Sequence, residues 1–393
     1  MEKITENKKC YGCTACYSIC PKKAIEMVED EKGFKHPVIN NKKCINCGLC
    51  KKNCPANYDL DQFVSDNNLP KIYAARTKNE EVREKSTSGG MFSEISNYIL
   101  NKDGVIFGTV MDENFKVKYI KVKDKKGRDL LRGAKYVQSD LENTFTEIKK
   151  ELDEKKYVMF IGNPCYVAGL KSFLGKNNYE NLLLCDIVCH GVPSPLIFKE
   201  HVEYIKNKHK LKKYIFRNKL IGWRGTNTTI EYDNTYESNT PYSDIFTNLY
   251  FDGYITRECC SSCKFTSINR VSDITIGDFW GIEKSHPKFN DEKGTSLLII
   301  NSKKGENILE NIKNNIYLEE SSVEKCLQPQ LKYPSAENKN KSSFWNDYKK
   351  RGFHFVAKKY TIFGFKKRLI KSIKKIIPNN VKEKLKGRKV WLK

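Results

Sequence analysis

No apolar run in this 393-residue chain approaches the roughly 18 residues that a membrane-spanning helix needs. The N-terminus, Met1-Glu-Lys-Ile-Thr-Glu-Asn-Lys-Lys9, also lacks the apolar core of a secretory signal. These absences point to a soluble, cytoplasmic protein. Acidic residues are scarce, 47 Asp and Glu against 71 Lys and Arg, which leaves a net charge of +24. That balance suggests nucleic acid, but its distribution argues otherwise. Residues 356–393 hold 14 Lys and Arg against one acid, Glu383, so more than half of the excess sits in the last tenth of the chain. Hydrophobic residues make up 39%, enough for a real core and too many for a disordered chain. The length suits two or three domains.

Cysteine is abundant: fifteen, with no export signal to place them in an oxidising compartment. That combination argues against a disulfide framework and for metal or redox chemistry. The first eight form one pattern used twice. Cys10-x-x-Cys13-x-x-Cys16-x-x-x-Cys20-Pro21 is followed by Cys44-x-x-Cys47-x-x-Cys50-x-x-x-Cys54-Pro55. This is the bacterial dicluster ferredoxin signature, in which the fourth Cys of each run reaches the other cluster. One 4Fe–4S cluster is therefore expected on Cys10, Cys13, Cys16 and Cys54, the other on Cys44, Cys47, Cys50 and Cys20. Zinc sites come instead as two Cys pairs, without the four-Cys runs and trailing Pro. Gly12 and Gly48 leave room for backbone N–H groups to turn toward the sulfurs. Two adjacent clusters conduct electrons, so the chemistry is expected downstream or on a partner.

A polar, acidic stretch at 58–70 reads as a linker after the ferredoxin domain of 1–57. From 71 to about 320, apolar runs of strand type alternate with helical segments, which predicts an α/β or α+β fold with a mixed sheet. Strands are expected at 72–76, 104–110, 157–161, 182–188, 213–217, 273–277 and 296–301. Helices are expected at 90–100, 141–153, 165–174, 195–208, 242–251 and 304–315. Residues 71–160 and 161–335 are the two parts of this domain, and 336–393 is a basic tail. Within the tail, 364–377 has an apolar stripe between Lys and Arg. It fits an anionic membrane surface, or a helix docked on its own domain.

Several motifs of the main domain each leave alternatives open. Ser86-Thr-Ser-Gly-Gly90 precedes a helix, as an anion site or as an ordinary capped start. Gly162-Asn-Pro-Cys165 places Cys165 in a first helical turn, where the dipole favours a thiolate; it is a nucleophile, a ligand or a buried inert thiol. Cys189, in Cys185-Asp-Ile-Val-Cys189-His-Gly-Val-Pro193, falls at the end of an apolar run, whereas Cys185 points into the core. Cys260-Ser-Ser-Cys263 is a redox pair, half a zinc site or half a cluster site. Half a metal site needs two more ligands, and Cys165 and Cys189 are the candidates. Asp273-Ile-Thr-Ile-Gly-Asp-Phe-Trp-Gly281 is a strand running into an acidic-aromatic turn, with Trp280 in the core as the plain reading.

Taken in order, Ser88-Gly-Gly90, Arg132-Gly-Ala-Lys-Tyr-Val-Gln-Ser139, Gly162–Gly169, Cys189–Ser194, the Arg257…Cys263 loop and Asp273–Gly281 resemble the coenzyme F420 hydrogenase/dehydrogenase beta-subunit family. The resemblance covers about 70–300, with the ferredoxin domain fused in front. It implies a mixed-sheet α/β FAD-binding domain with a third 4Fe–4S cluster, in an oxidoreductase whose flavin exchanges a hydride with a deazaflavin and single electrons with the clusters. It also implies Cys165, Cys189, Cys260 and Cys263 as ligands of that cluster, and Ser88, Gly89, Gly90, Arg132 and Lys135 against the FAD. Glu258, Cys259 and Ser261 depart from the family loop, and Tyr166 replaces its usual Gln. Cys259 then reads as a bystander. The competing reading is an electron-transfer subunit that serves a partner enzyme and has no substrate of its own. A redox partner protein is expected in either case, and specific nucleic-acid binding is not.

Overall fold

The structure, a computed structural model, describes residues 3–361 except 65–69, 178, 208–209, 221, 226–227, 234, 239 and 241–242. The segment 364–377 lies outside the described residues. The first strands of the chain form an antiparallel hairpin, β1 (Ile25–Glu29) and β2 (Lys35–Ile39). The cysteine runs lie on either side of it. Eight strands form the main sheet: β3 (Lys71–Thr77), β4 (Val105–Met111), β5 (Val117–Val122), β6 (Val158–Gly162), β7 (Leu182–Ile187), β11 (Ile274–Asp278), β12 (Ser296–Ile300) and β13 (Ile316–Ser321). A separate three-stranded sheet holds β8 (Lys213–Ile215), β9 (Thr229–Glu231) and β10 (Tyr236–Ser238).

Strand order in the main sheet is β13-β3-β12-β11-β7-β6-β4-β5. The four strands β4, β6, β7 and β11 run parallel, and antiparallel strands flank them on both sides. Parallel strands must bury both faces, and the side-chain alternation shows how. Val158 and Phe160 join the helices Thr144–Asp153 and Pro164–Leu174 on one face. Met159 and Leu183 join Met91–Leu100 and Lys303–Ile312 on the other.

All seven expected strands and all six expected helices form, with ends shifted by a few residues. The two strands of the main sheet that escaped expectation, β5 and β13, are its edges. Lys118, Lys121, Glu319 and Glu320 break their apolar pattern, because an edge strand keeps contact with water. Residues 58–63, expected as linker, are pinned to the main domain: Phe63 is buried against Phe265, and Lys171 Nζ donates to the Phe63 carbonyl at 2.5 Å. The basic tail expected from 336 differs at its start. Lys341–Tyr360 is helical, and Phe344, Phe353, Val356 and Tyr360 pack into a third core with the helices Pro195–Lys206 and Ile245–Phe251. Gly352, at φ 72°, interrupts this helix and lets both halves turn an aromatic inward.

Parallel strands put β4, β6, β7 and β11 end to end at one edge, and the loops leaving it carry the site residues. Arg270 ties this edge together. Its guanidinium lies 3.1 Å from Asp186, donates to the carbonyl of Ile187 at the end of β7, and donates to Phe265 and Ser267 in the loop after Cys263. Both Arg270 and Asp186 are buried. Replacing Arg270 by Ala leaves a buried carboxylate unpaired, which typically costs about 3–5 kcal/mol. Chemical denaturation of anaerobically purified protein is expected to show a loss of that order for Arg270→Ala, and a smaller one for Arg270→Lys.

Candidate functional site

Three small cavities each gather four of the expected cysteines. The first is lined by Cys10, Cys13, Cys16 and Cys54, the second by Cys20, Cys44, Cys47 and Cys50. The crossing of Cys54 and Cys20 between the runs is thus present in the fold. The third is lined by Cys165, Cys189, Cys260 and Cys263. Cys165 follows Pro164 at the start of the helix after β6, and Cys189 stands two residues beyond β7. Cys260 lies in the short helical turn Glu258–Ser262, with Cys263 at its end. Cys259 lines this cavity too, so the thiol expected as a bystander is a close neighbour of the four.

Backbone amides point at the sulfurs in all three sites. Gly12 N–H donates to Cys10 Sγ at 3.4 Å, Asn46 N–H to Cys44 Sγ at 3.5 Å and Gly191 N–H to Cys189 Sγ at 3.3 Å. Each donor sits two residues after its cysteine, and each has positive φ. The N–H folds back only in that conformation, which Gly adopts freely and Asn tolerates. Asn46, and not Gly48, takes this role in the second run; Gly48 has positive φ but opens the turn of helix at Leu49–Lys52. A Cβ on Gly191 would meet Cys260 Cβ at 3.1 Å. The recurrence of Cys-x-Gly at Cys10 and Cys189 is a signal in the sequence that the third site resembles the first.

Burial decides the state of these thiols. It pushes Cys165 well above the ordinary thiol range, and the neighbouring thiolates of the same cavity add to it. The helix start expected to favour a Cys165 thiolate is outweighed. Burial also pushes Cys189 up to about 12 and Cys263 up to about 11. A hydrogen bond with Cys259 pulls Cys260 down to about 7. Buried thiols of this kind ionise only if a cation compensates them, and iron does so. The cysteine sets, amides and buried thiols therefore fit iron–sulfur clusters.

A larger cleft of about 410 Å³ opens beside the third cavity, within the usual size for a cofactor or small ligand. Of the residues expected against a flavin, Ser88, Gly90, Arg132 and Lys135 line it. Gly89 does not. It packs against β3 and β12, where a Cβ would lie 2.3 Å from the Ala75 carbonyl oxygen, and its amide donates to Ser296 Oγ at 3.0 Å. The Ser88 hydroxyl is engaged by the Thr295 carbonyl at 2.9 Å. Gly90 starts the helix Met91–Leu100, whose first turn has no side-chain cap and faces the cleft. Arg132 is paired with Asp129 at 2.5 Å. Lys135 Nζ donates to the carbonyls of Leu131 and Arg132, both at 2.8 Å, at the end of a helix. Burial pulls Lys135 down to about 7.

Arg217 in the lining was not foreseen, and the Asp273–Gly281 stretch contributes Asp278 and Trp280 beside it. Arg217 and Asp278 form an ion pair, Arg217 lies over Trp280, and Trp280 stacks on Trp223 at 5.1 Å. Trp280 is 40% exposed rather than part of the core. Asp278 Oδ1 and Arg217 Nε are buried and have no hydrogen-bond partner among the described residues. A helix start without a side-chain cap, a cation and an apolar space with an aromatic wall fit a flavin nucleotide. His190, Tyr250 and Phe251 close the side toward the cysteines.

The four spaces adjoin one another in series. The cleft and the third cavity share Asn163, Cys189, Gly191, Val192 and Gln330. Tyr11 lines both the third cavity and the first, and its ring meets Phe265 at 5.3 Å. Cys16, Cys20, Cys50 and Cys54 pack in one small core between the first cavity and the second. Cys47, at the far end, is exposed.

Residues 72–144 match the family model for the N-terminal part of the coenzyme F420 hydrogenase/dehydrogenase beta subunit, and 155–325 match the model for its C terminus. Residues 9–58 and 36–93 match two 4Fe–4S dicluster domain models. No curated protein matches the chain. One similar solved structure comes from a study of xenon derivatization of the F420-reducing [NiFe] hydrogenase complex of Methanosarcina barkeri. Identity is 16%, the match covers 73% of this chain and 96% of that one, and the TM-score is 0.47.

If each set of four cysteines holds a cubane, anaerobic protein contains about 12 irons. Iron analysis is expected to give about four fewer for Cys260→Ser, Cys263→Ser and Gly191→Ala, and no loss for Cys259→Ser. An unchanged count in Cys260→Ser and Cys263→Ser would remove the third site.

Proposed function

Because this chain belongs to the coenzyme F420 hydrogenase/dehydrogenase beta-subunit family and carries a 4Fe–4S dicluster domain in front, we propose that it is an FAD-dependent iron–sulfur oxidoreductase that passes electrons between a hydride donor or acceptor in the cleft and a partner at the ferredoxin end. The observation that carries this reading is the series of four adjoining spaces, from a ligand-sized cleft to an exposed cysteine site. A flavin supplies two-electron to one-electron conversion when bound, and the clusters carry electrons singly.

The chain's own residues have separable tasks. The helix start at Gly90–Phe92 offers free amides to an anionic group. Lys135 adds a positive charge while it stays protonated. Asp278 and Arg217, held to each other by their ion pair, and Trp280, with a flat apolar face, line the cleft. Cys165, Cys189, Cys260 and Cys263 are assigned as the ligands nearest the cleft, and Asn163 and Gln330 separate the two spaces. Residues 362–393 lie outside the described residues; their Lys and Arg suit anionic lipid headgroups, which supports the reading of a cytoplasmic protein that rests on a membrane surface.

A second reading is favoured by the family's own description as a beta subunit: electrons reach the cleft only from a partner enzyme. Reduced deazaflavin and NAD(P)H discriminate. If either bleaches the bound flavin directly, the first reading holds; if neither does and a partner protein does, the second holds.

Anaerobic purification is expected to yield one FAD together with the irons, and a flavin-free protein would sink both readings. Lys135 loses its charge as pH rises through about 7. Flavin affinity, read by fluorescence quenching, is accordingly expected to weaken above pH 7 and to hold below it. Lys135→Met should lower affinity at the acid side and flatten the profile.

A further inference from the structure

The second cysteine cavity differs from the other two in reaching the surface. Cys47 is exposed, whereas all four cysteines of the first cavity are buried. Ile45 and Leu49, which line this cavity, are also exposed, at 56% and 37%. They form a small apolar centre directly over the site. Lys22, Lys23, Lys42, Lys43 and Lys52 stand exposed in the segments around it. From residue 32 to residue 58 the chain holds no acid. Glu26, the residue after the cavity-lining Ile25, points to the opposite face of β1. An apolar centre inside a one-signed polar rim is the anatomy of a transient protein interface. The rim also sets up a positive field, which speeds the approach of an oppositely charged partner.

We propose that this face docks a small acidic protein that carries one electron, seated over Ile45 and Leu49 with its carboxylates against the lysine rim. The proposal rests on the reading of Cys20, Cys44, Cys47 and Cys50 as a cluster site. The exchange moves one electron between the two proteins; one is oxidised, the other reduced, and no bond or proton moves. The charge of the rim chooses the partner's sign, and the exposed cysteine edge explains why the partner sits here and not over the buried sites.

The test uses full-length, anaerobically purified holoprotein with an acidic 2Fe–2S ferredoxin as probe and a basic cytochrome c as its counterpart. Binding is read by anisotropy of the labelled probe, and electron transfer by stopped flow, at low and high salt. The expected results are binding of the ferredoxin that weakens with salt, and a loss of about tenfold in both affinity and rate for Lys42→Glu/Lys43→Glu and for Lys23→Glu. Reversal of Lys125 and Lys126, exposed on the main domain, should change neither. Equal binding by wild type and the rim variants, a preference for cytochrome c, or binding of phosphatidylserine vesicles in place of ferredoxin would each overturn the proposal. Iron content separates the two levels. Full iron with no effect of the rim variants removes the docking surface and leaves the cluster assignment standing. Iron unchanged by Cys47→Ser removes the cluster assignment, and the docking proposal with it.

Discussion

One buried guanidinium joins the two halves of this molecule. Arg257 Nε donates to the Cys10 carbonyl at 2.6 Å, and its terminal nitrogens donate to Gln138 Oε1 at 2.8 Å and to the Lys35 carbonyl at 2.9 Å. It therefore binds the first cysteine run and the hairpin from within the loop that presents Cys260 and Cys263. Its face lies over Phe34 at 5.3 Å. A buried cation is costly unless its donors are satisfied. Here backbone carbonyls and an amide satisfy them, so only this docked arrangement is cheap. Gly12 completes the fit, because a Cβ there would lie 2.8 Å from Gln138 Nε2 and 3.0 Å from the Arg257 guanidinium.

Other contacts reinforce the same joint. Lys264, next to Cys263, donates to the carbonyls of Pro55 and Tyr58. Gly169 lets Cys13 approach the helix that begins at Pro164; a Cβ there would sit 2.8 Å from Cys13 Sγ. Lys32 pairs with Glu258 at 2.5 Å, and Lys35 with Asp140 at 2.5 Å. These last two are partly exposed and contribute little by themselves. The buried contacts set the separation between the third cavity and the first, and electron transfer depends on that separation. The same cation also acts electrically. Burial alone would raise the Cys10 thiol, but a hydrogen bond from His36 and the Arg257 charge outweigh it and hold Cys10 below the ordinary range.

Legibility followed the physics of each element. Central strands must be apolar on both faces, so β4, β6, β7 and β11 stood out as continuous runs. Edge strands are half solvated, and β5 and β13 passed as loops. The helix Lys341–Tyr360 was hidden by its charge, since only the stripe through Phe344, Phe353, Val356 and Tyr360 meets the core. The cleft was half legible. Its glycine-rich helix start and Lys135 lie in short motifs with a plain physical meaning. In the facing part of its lining, Asp278 and Trp280 belong to the Asp273–Gly281 stretch already marked in the sequence, whereas Arg217 comes from a distant part of the chain and has no spacing that announces it.

The eight N-terminal cysteines needed nothing beyond their spacing. Ligands within one run are held by the covalent chain, so three positions apart is already a geometry, and the Pro after each fourth Cys marks the turn that sends it to the other site. The other four obey no such local rule. Cys165 and Cys189 are brought near Cys260 and Cys263 because β6, β7 and β11 run parallel and end at one edge, and because Arg270 and Arg257 hold the last loop against it. The same parallel edge turns Gly90, Lys135 and Trp280 toward a common space. Spacing along a chain can specify what a few bonds can reach; bringing together side chains separated by a whole sheet requires the sheet.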